Sequence, residues 1–205
     1  MTTAVVTGGS GGIGREVVRQ LRSQQWDVVS LSRREGCDVS KEEDVLQAFK
    51  RFNSIDALIH CAAVLIKRPL TRMTADDWDR QLGAGLRGAF LCSREAFKRM
   101  RKRGGAIVFV SSLSGVAGAE KFPGMSAYVA AKSGLAGLTE VLSVEGREHG
   151  IRVNAISPGA VDTRMLRIAG VAGRRLKPTD VARVAVWLAT SESAPLTGAN
   201  LRMDP

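Results

Sequence analysis

The chain has 205 residues, 44% hydrophobic and 24% charged, the balance of a single globular domain with a sizeable core. With 30 Lys and Arg against 20 Asp and Glu the formal charge is +10, so an acidic partner has to be weighed, although no nucleic-acid-binding motif is present. No apolar run could cross a membrane and no leader-like segment opens the chain. Two distant histidines and three scattered cysteines without a CxxC pair argue against a metal site and fit a reduced cytoplasm.

Thr3-Ala4-Val5-Val6-Thr7 is a β-branched run, followed by Gly8-Gly9-Ser10-Gly11-Gly12-Ile13-Gly14 and a helical pattern through Val17, Val18 and Leu21. A glycine turn between strand and helix aims backbone amides at one point, a site for a pyrophosphate. Gly9, Gly11 and Gly14 fit GxGxxG, a weak signal alone that gains weight from its place between strand and helix. Arg15 stands where a P-loop needs lysine, which excludes that motif. The same turn also reads as a GxSxG elbow around Ser10. That serine-hydrolase reading needs a histidine partner, and neither His60 nor His149 falls in an evident active-site loop, so it ranks last.

Residues 27–32 form the second strand, and Arg33-Arg34 follow where an NAD-binding fold would carry an acidic residue for the ribose 2′-hydroxyl. A fork of guanidinium groups suits a 2′-phosphate, so NADP(H) is preferred with NAD(H) as the alternative, though two arginines also suit a solvated turn. Only Glu35 and Gly36 separate them from Cys37-Asp38-Val39, too few for a helix. Ser40 with Glu43 reads as a capping box for a helix whose apolar face is Val45, Leu46, Phe49 and Phe52.

Residues 55–61 form a buried strand, and Thr74 caps a helix that runs to Arg103 through Gly83, Gly85 and Gly88, glycines that close packing against a neighbour would explain. The densest basic run, Lys98 to Arg103, suits a solvated helix end. After the strand 106–111, Ser112-Leu113-Ser114-Gly115 leaves its carboxyl end, where an open parallel sheet places its ligand. Residues 126–143 read as helix, 151–157 as strand, 199–203 as the last strand, and Pro178 opens a helix with a buried stripe of Val181, Val184, Ala185 and Leu188. Alternation of strand and helix throughout gives an α/β, doubly wound parallel sheet in one domain, residues 1–205.

The single tyrosine, Tyr128, lies four residues before Lys132 in that predicted helix, so the two share a face. A cation beside a phenol pulls its pKa down and yields a group able to exchange a proton with a carbonyl or hydroxyl. The pair alone equally fits a half-buried tyrosine next to a surface lysine.

Taken together these stretches resemble the short-chain dehydrogenase/reductase family over nearly the whole chain. Four motifs stand in family order: Thr7-Gly8 through Gly12-Ile13-Gly14, Ser112, Tyr128-x-x-x-Lys132, and Pro158-Gly159-x-Val161-x-Thr163. The resemblance implies a Rossmann fold and hydride transfer between a nicotinamide cofactor and a small carbonyl or secondary alcohol, a 3-oxoacyl thioester among the choices. On it, Tyr128 is the general acid/base, Lys132 lowers its pKa and holds the nicotinamide ribose, and Ser112, three residues before Gly115, polarises the substrate oxygen. Asp38 and Val39 match the adenine-contacting pair, Ala62 and Ala63 the strand end beside the cofactor, and Pro158 and Gly159 open the segment whose Val161 and Thr163 hold the carboxamide.

Three departures stand out. His60-Cys61 replaces the family's asparagine-containing strand end, Gly85 falls at its helix asparagine, and the stretch from Thr163 to Pro178 and the C-terminus are short, implying an open substrate site. Gly85 therefore predicts weakened proton transfer, and it motivates a rival reading as a cofactor-binding regulator with little turnover. The expected partners are an acidic carrier protein docked by Arg103 and its basic neighbours, and copies of the chain in a homodimer or homotetramer through the helices from Thr74 and Ser126.

Overall fold

The computed structural model describes residues 2–204. Six parallel strands, β1 (Thr3–Thr7), β2 (Asp27–Leu31), β3 (Ala57–His60), β4 (Gly105–Val110), β5 (Ile151–Pro158) and β6 (Asn200–Met203), form one sheet in the order β2-β1-β3-β4-β5-β6. Their inward positions are apolar on both faces because both faces are covered by helices. On one face α2 (Glu42–Phe49), α4 (Gly88–Met100) and α5 (Ser126–Glu145) bury Val5, Leu58, Ile107, Phe109 and Val153. On the other, α1 (Gly12–Ser23) and α7 (Pro178–Ala189) bury Ala4, Val6, Ile59, Val108 and Ile156. Successive residues of one strand serve opposite layers, which gives the doubly wound, three-layer architecture its two cores.

The strand order reverses between β1 and β3, and there the carboxyl ends of the two strands diverge into a crevice. Gly8, just past β1, lies so close to the backbone of Ala62 that a Cβ on it would stand 2.9 Å from the Ala62 nitrogen. With φ of +68° it is also in the left-handed region, so two constraints demand glycine here.

Between β2 and α2 the chain makes a single 3-10 turn, Arg33–Glu35, closed by Gly36 at φ +79°. No strand follows on the outer side, so β2 is an edge of the sheet. The expected Ser40 capping box does not form. The Asp38 carboxylate takes the Ser40 hydroxyl at 2.8 Å and its N–H at 3.1 Å, and α2 starts later, with Lys41 at its N-cap and Glu42, Glu43 and Asp44 in the first turn. Leu46 is also largely outside the core. By contrast Thr74 does cap α3 (Ala75–Leu82), accepting the Asp77 N–H at 3.1 Å.

α3 passes into α4 through a π-turn, Gly83–Arg87, whose wider spacing is shown by the Gly88 N–H bonding back to the Gly83 carbonyl. The three glycines of this stretch are close-packing positions, though against two different neighbours. A Cβ on Gly85 would meet Ala131 of α5 at 3.3 Å, whereas Gly88 and Gly83 approach Val39 and Ser40. α6 (Arg164–Ala169) is a short helix capped by Thr163 and ended by Gly170 at φ +64°. It lies in the short stretch expected to leave the substrate site open, and Lys67 ties it down by donating to the Ala169 carbonyl at 2.6 Å. No helix among the described residues is long and apolar enough to cross a membrane, and no cluster of three His, Cys, Asp or Glu among them could hold a metal.

Candidate active site

One cleft of about 770 Å³ crosses the carboxyl ends of the strands, within the range of small-molecule sites. It begins at the glycine turn, where Ser10, Gly11, Gly12, Ile13 and Gly14 open α1 under Gly8. Around Gly11 there is open space, while any side chain on Gly14 would collide with the Gly8 carbonyl. The amides at this helix start therefore face an unobstructed cradle, as a pyrophosphate requires. At one end of the cleft stand Arg33, Arg34, Asp38 and Val39, and its floor carries Ala62 and Ala63. Pro158, Gly159, Val161 and Thr163 form the opposite wall, with the Thr163 methyl 3.5 Å from where a Gly12 Cβ would lie.

Arg33 and Arg34 are exposed and reach the cleft from the 3-10 turn. Beneath them the Glu35 carboxylate accepts the hydroxyls of Ser30 at 2.7 Å and Ser32 at 2.5 Å, so a carboxylate does sit near this end, fixed by two serines. Burial pushes the Asp38 carboxyl up, but the hydrogen bonds from Ser40 and the charge of Arg33 hold it below the ordinary aspartate value. These residues line the cleft from the glycine turn to the end of β2.

The chemistry-bearing side chains meet at the other end. α5 presents Tyr128 and Lys132 one turn apart, both nearly excluded from solvent, and the turn after β4 brings Ser112 to the same end of the cleft. Ser111 is turned away, donating to the Lys132 carbonyl at 2.9 Å, and the Ser114 N–H donates to the Ser112 oxygen. Gly115 lets this turn lie against α5, since a Cβ there would come within 2.8 Å of the Lys132 Cβ.

The electrostatics reverse one expectation. Burial raises the Tyr128 pKa and the nearby Ser112 hydroxyl only partly offsets it, so the phenol is not acidified by its neighbour in this state. The reason lies in Lys132, which is buried itself, donates to the Val110 carbonyl at 2.6 Å and stands 5.7 Å from the tyrosine ring centre. Burial pulls this amine down to about 8, so of the pair it is the lysine that yields its proton first as pH rises.

Several residues of the site had no local signal. Around Tyr128, Leu65, Met125 and Ala169 form an apolar cluster joined by Phe122, Met165 and Val171, drawn from the segment after β3, the segment leading into α5, and α6 with the residues after it, and Arg174 stands on the rim. Such a chamber has no periodicity to betray it. Conversely, Arg103 lies just before the amino end of β4, remote from the cleft, beside Asp56 at 3.8 Å, and Lys98 and Arg99 are spent on the buried Glu95. A partner docked at Arg103 would meet the wrong end of the sheet. The Ser10 elbow also fails, because His60 bonds Thr7 at 2.9 Å and His149 sits beside Gly104 and Gly150 at the amino ends of β4 and β5.

A family model described as enoyl-(acyl carrier protein) reductase matches residues 34–205. A short-chain dehydrogenase/reductase of Armillaria gallica is 32% identical over 98% of this chain and 94% of its own. The chain belongs to the short-chain dehydrogenase/reductase family. As a short-chain dehydrogenase/reductase it is an NAD(P)-dependent oxidoreductase on the Rossmann fold. The 3-oxoacyl-[acyl-carrier-protein] reductase of Chlamydia trachomatis serovar D is 31% identical over 98% of this chain and 95% of the relative. The solved structure of ElxO with NADP bound aligns with a TM-score of 0.87 at 27% identity, covering 99% of this chain and 97% of that one. The alignment with the Armillaria relative runs over 247 positions, so a short-chain dehydrogenase/reductase of 205 residues matches it only with gaps.

Proposed function

We propose that the protein is an NADP-preferring reductase or dehydrogenase of a carbonyl or secondary alcohol, with Tyr128 as its general acid/base. The observation that carries this reading is the convergence of Ser112, the buried Tyr128 phenol and the Lys132 amine, 5.7 Å from the tyrosine ring centre, at the end of a cleft that begins on a glycine turn. A nicotinamide held by these residues would supply or accept the hydride. Ser112 holds the substrate oxygen and, with the phenol, orients it; Tyr128 gives that oxygen its proton in reduction and takes it back in oxidation. Lys132 is a buried cation in reach of the same site, able to favour the phenolate once substrate or cofactor hydroxyls draw it from the Val110 carbonyl. Leu65, Phe122 and Met125 keep water from the reacting carbon.

Arg33 and Arg34 support the NADP preference, since their forked donors suit a 2′-phosphate. A 3-oxoacyl thioester is the favoured substrate: the chamber is apolar, Arg164 and Arg174 stand at its mouth, and the Chlamydia relative is named for that reaction. An acidic carrier protein would then dock on the α6 side rather than at Arg103. Exposed Phe90, Val141 and Val144 on α4 and α5 support a homodimer or homotetramer through those helices. The test compares the melting-temperature shifts produced by NADPH and NADH, then follows NADPH oxidation across a ketone panel that includes 3-oxoacyl thioesters. A larger shift with NADPH and turnover of at least one ketone are expected; binding without turnover of any would return the protein to a regulatory role.

A further inference from the structure

The end of β3 holds a polar side chain that the reaction outlined above does not use. His60 is fully buried, packed edge-on against Phe109 at 6.4 Å, and its Nδ1 lies 2.9 Å from the Thr7 hydroxyl. That hydroxyl oxygen already accepts the Ala62 N–H at 3.2 Å. Its single proton is then free to go to His60 Nδ1, which places the ring proton on Nε2. Nε2 is sealed from solvent without a partner at hydrogen-bonding geometry, an exception in a folded core that asks for a reason.

What faces the imidazole is the π-turn. Backbone carbonyls of Ala84 and Gly85, with that of Ala62, favour a proton on the ring, while the charge of the Lys132 amine disfavours a second one. The turn reads Gly83-Ala84-Gly85-Leu86-Arg87, and its one polar side chain, Arg87, donates instead to the Ser40 carbonyl, so nothing of its own holds its displaced carbonyls. A side chain at position 85 would crowd Ala131, whose methyl lies 3.3 Å from where its Cβ would stand. Any donor has to come from another element, and β3 supplies it.

We propose that His60 is a positioning residue of the proton-transfer site, its imidazole aligned by Thr7 so that Nε2–H holds the Ala84 and Gly85 carbonyls in place beside Lys132. Burial and the lysine charge keep the ring neutral, its pKa pushed down to about 3, so it orients the turn without adding a second cation. The link from β1 through Thr7 and His60 to the π-turn and then α5 joins the cofactor floor at Ala62 to the lysine. This inference rests on the reductase reading, and its test separates the two.

Three variants, His60→Leu, His60→Asn and His60→Gln, are compared in NADPH-induced thermal shift and in turnover of a ketone the wild type accepts. Asparagine places its amide nitrogen where Nδ1 stands, and glutamine reaches the position of Nε2. We expect kcat to fall about tenfold in the leucine and asparagine variants, with the KM for NADPH within about twofold, and glutamine to restore most of the loss, the pattern of one missing hydrogen bond. Equal kcat in the leucine variant, or a glutamine variant as slow as leucine at the same melting temperature, would overturn the proposal. A second readout needs no turnover. In 15N-histidine-labelled His149→Asn protein only His60 reports, and its spectrum should show the neutral Nε2–H tautomer unchanged from about pH 5.5 to about pH 8.5. An Nδ1–H tautomer or a charged ring would overturn the inference even if the enzyme is active. A wild type that turns over no ketone but shows the Nε2–H form would sink the reductase reading and leave the assigned orientation standing.

Discussion

Replacing Lys132 by methionine should change how stability depends on pH, in a direction set by burial. The amine is 3% exposed and its pKa falls from 10.5 to about 8. Because the folded value lies below the unfolded one, the unfolded chain binds more protons between them and stability rises with pH across that window. Below pH 8 the charged amine carries its full penalty, about 3 kcal/mol at about 1.4 kcal/mol per pKa unit. By about pH 10 the unfolded lysine is losing its proton too, and roughly 2 kcal/mol of that penalty has gone. Methionine keeps the length of the side chain and removes the titration. Groups with raised values, Tyr128 and Cys61 among them, act in the opposite sense but are present in both proteins and cancel to first order in the difference. The assay is urea unfolding of both proteins at pH 7, 8, 9 and 10 without cofactor. The advantage of the methionine protein over the wild type should fall by about 2 kcal/mol across this range. Parallel curves would mean that the amine is hydrated in the fold and that its hold on the Val110 carbonyl is wrong.

Other consequences can be checked together. Tyr128→Phe should lower kcat by roughly 10² to 10⁴, the scale of a lost general acid, while the NADPH-induced thermal shift persists. Removing both guanidinium groups in Arg33→Ala/Arg34→Ala should weaken NADPH by about tenfold or more and leave NADH within about twofold, measured by titration of intrinsic fluorescence. Gly85→Asn should destabilise by about 1 to 3 kcal/mol without raising kcat, because the new Cβ meets Ala131 at 3.3 Å before any amide can act. Phe90→Arg with Val144→Arg should yield a smaller species by light scattering if α4 and α5 form the interface between copies.

Local chemistry made most of the architecture readable. β-branched runs, the glycine turn and the Thr74 cap each write their geometry into adjacent residues, and the helical spacing of Tyr128 and Lys132 put the pair on one face of α5 as expected. What escaped depends on contacts between distant segments. The Ser40 cap lost to Asp38 because two local hydrogen-bonding patterns compete for one hydroxyl. Residues 83–88 announced close packing but not the π-turn, since glycine spacing alone does not say which ladder bond will shift. The sign of the Tyr128 shift depends on how deeply α5 is covered, and burial of that depth is a property of the assembled layers rather than of the helix. Arg103 looked available in the sequence, yet chain direction places it at the end of the sheet away from the cleft.

The most direct measurement of the central claim follows deuterium from NADPH labelled at the nicotinamide C4, using both epimers, into the product of an accepted ketone. One epimer should deliver one deuterium per alcohol formed in the wild type. Tyr128→Phe should form almost no alcohol while NADPH stays bound. Alcohol formed without label from either epimer, or label transferred equally well without the phenol, would contradict the account.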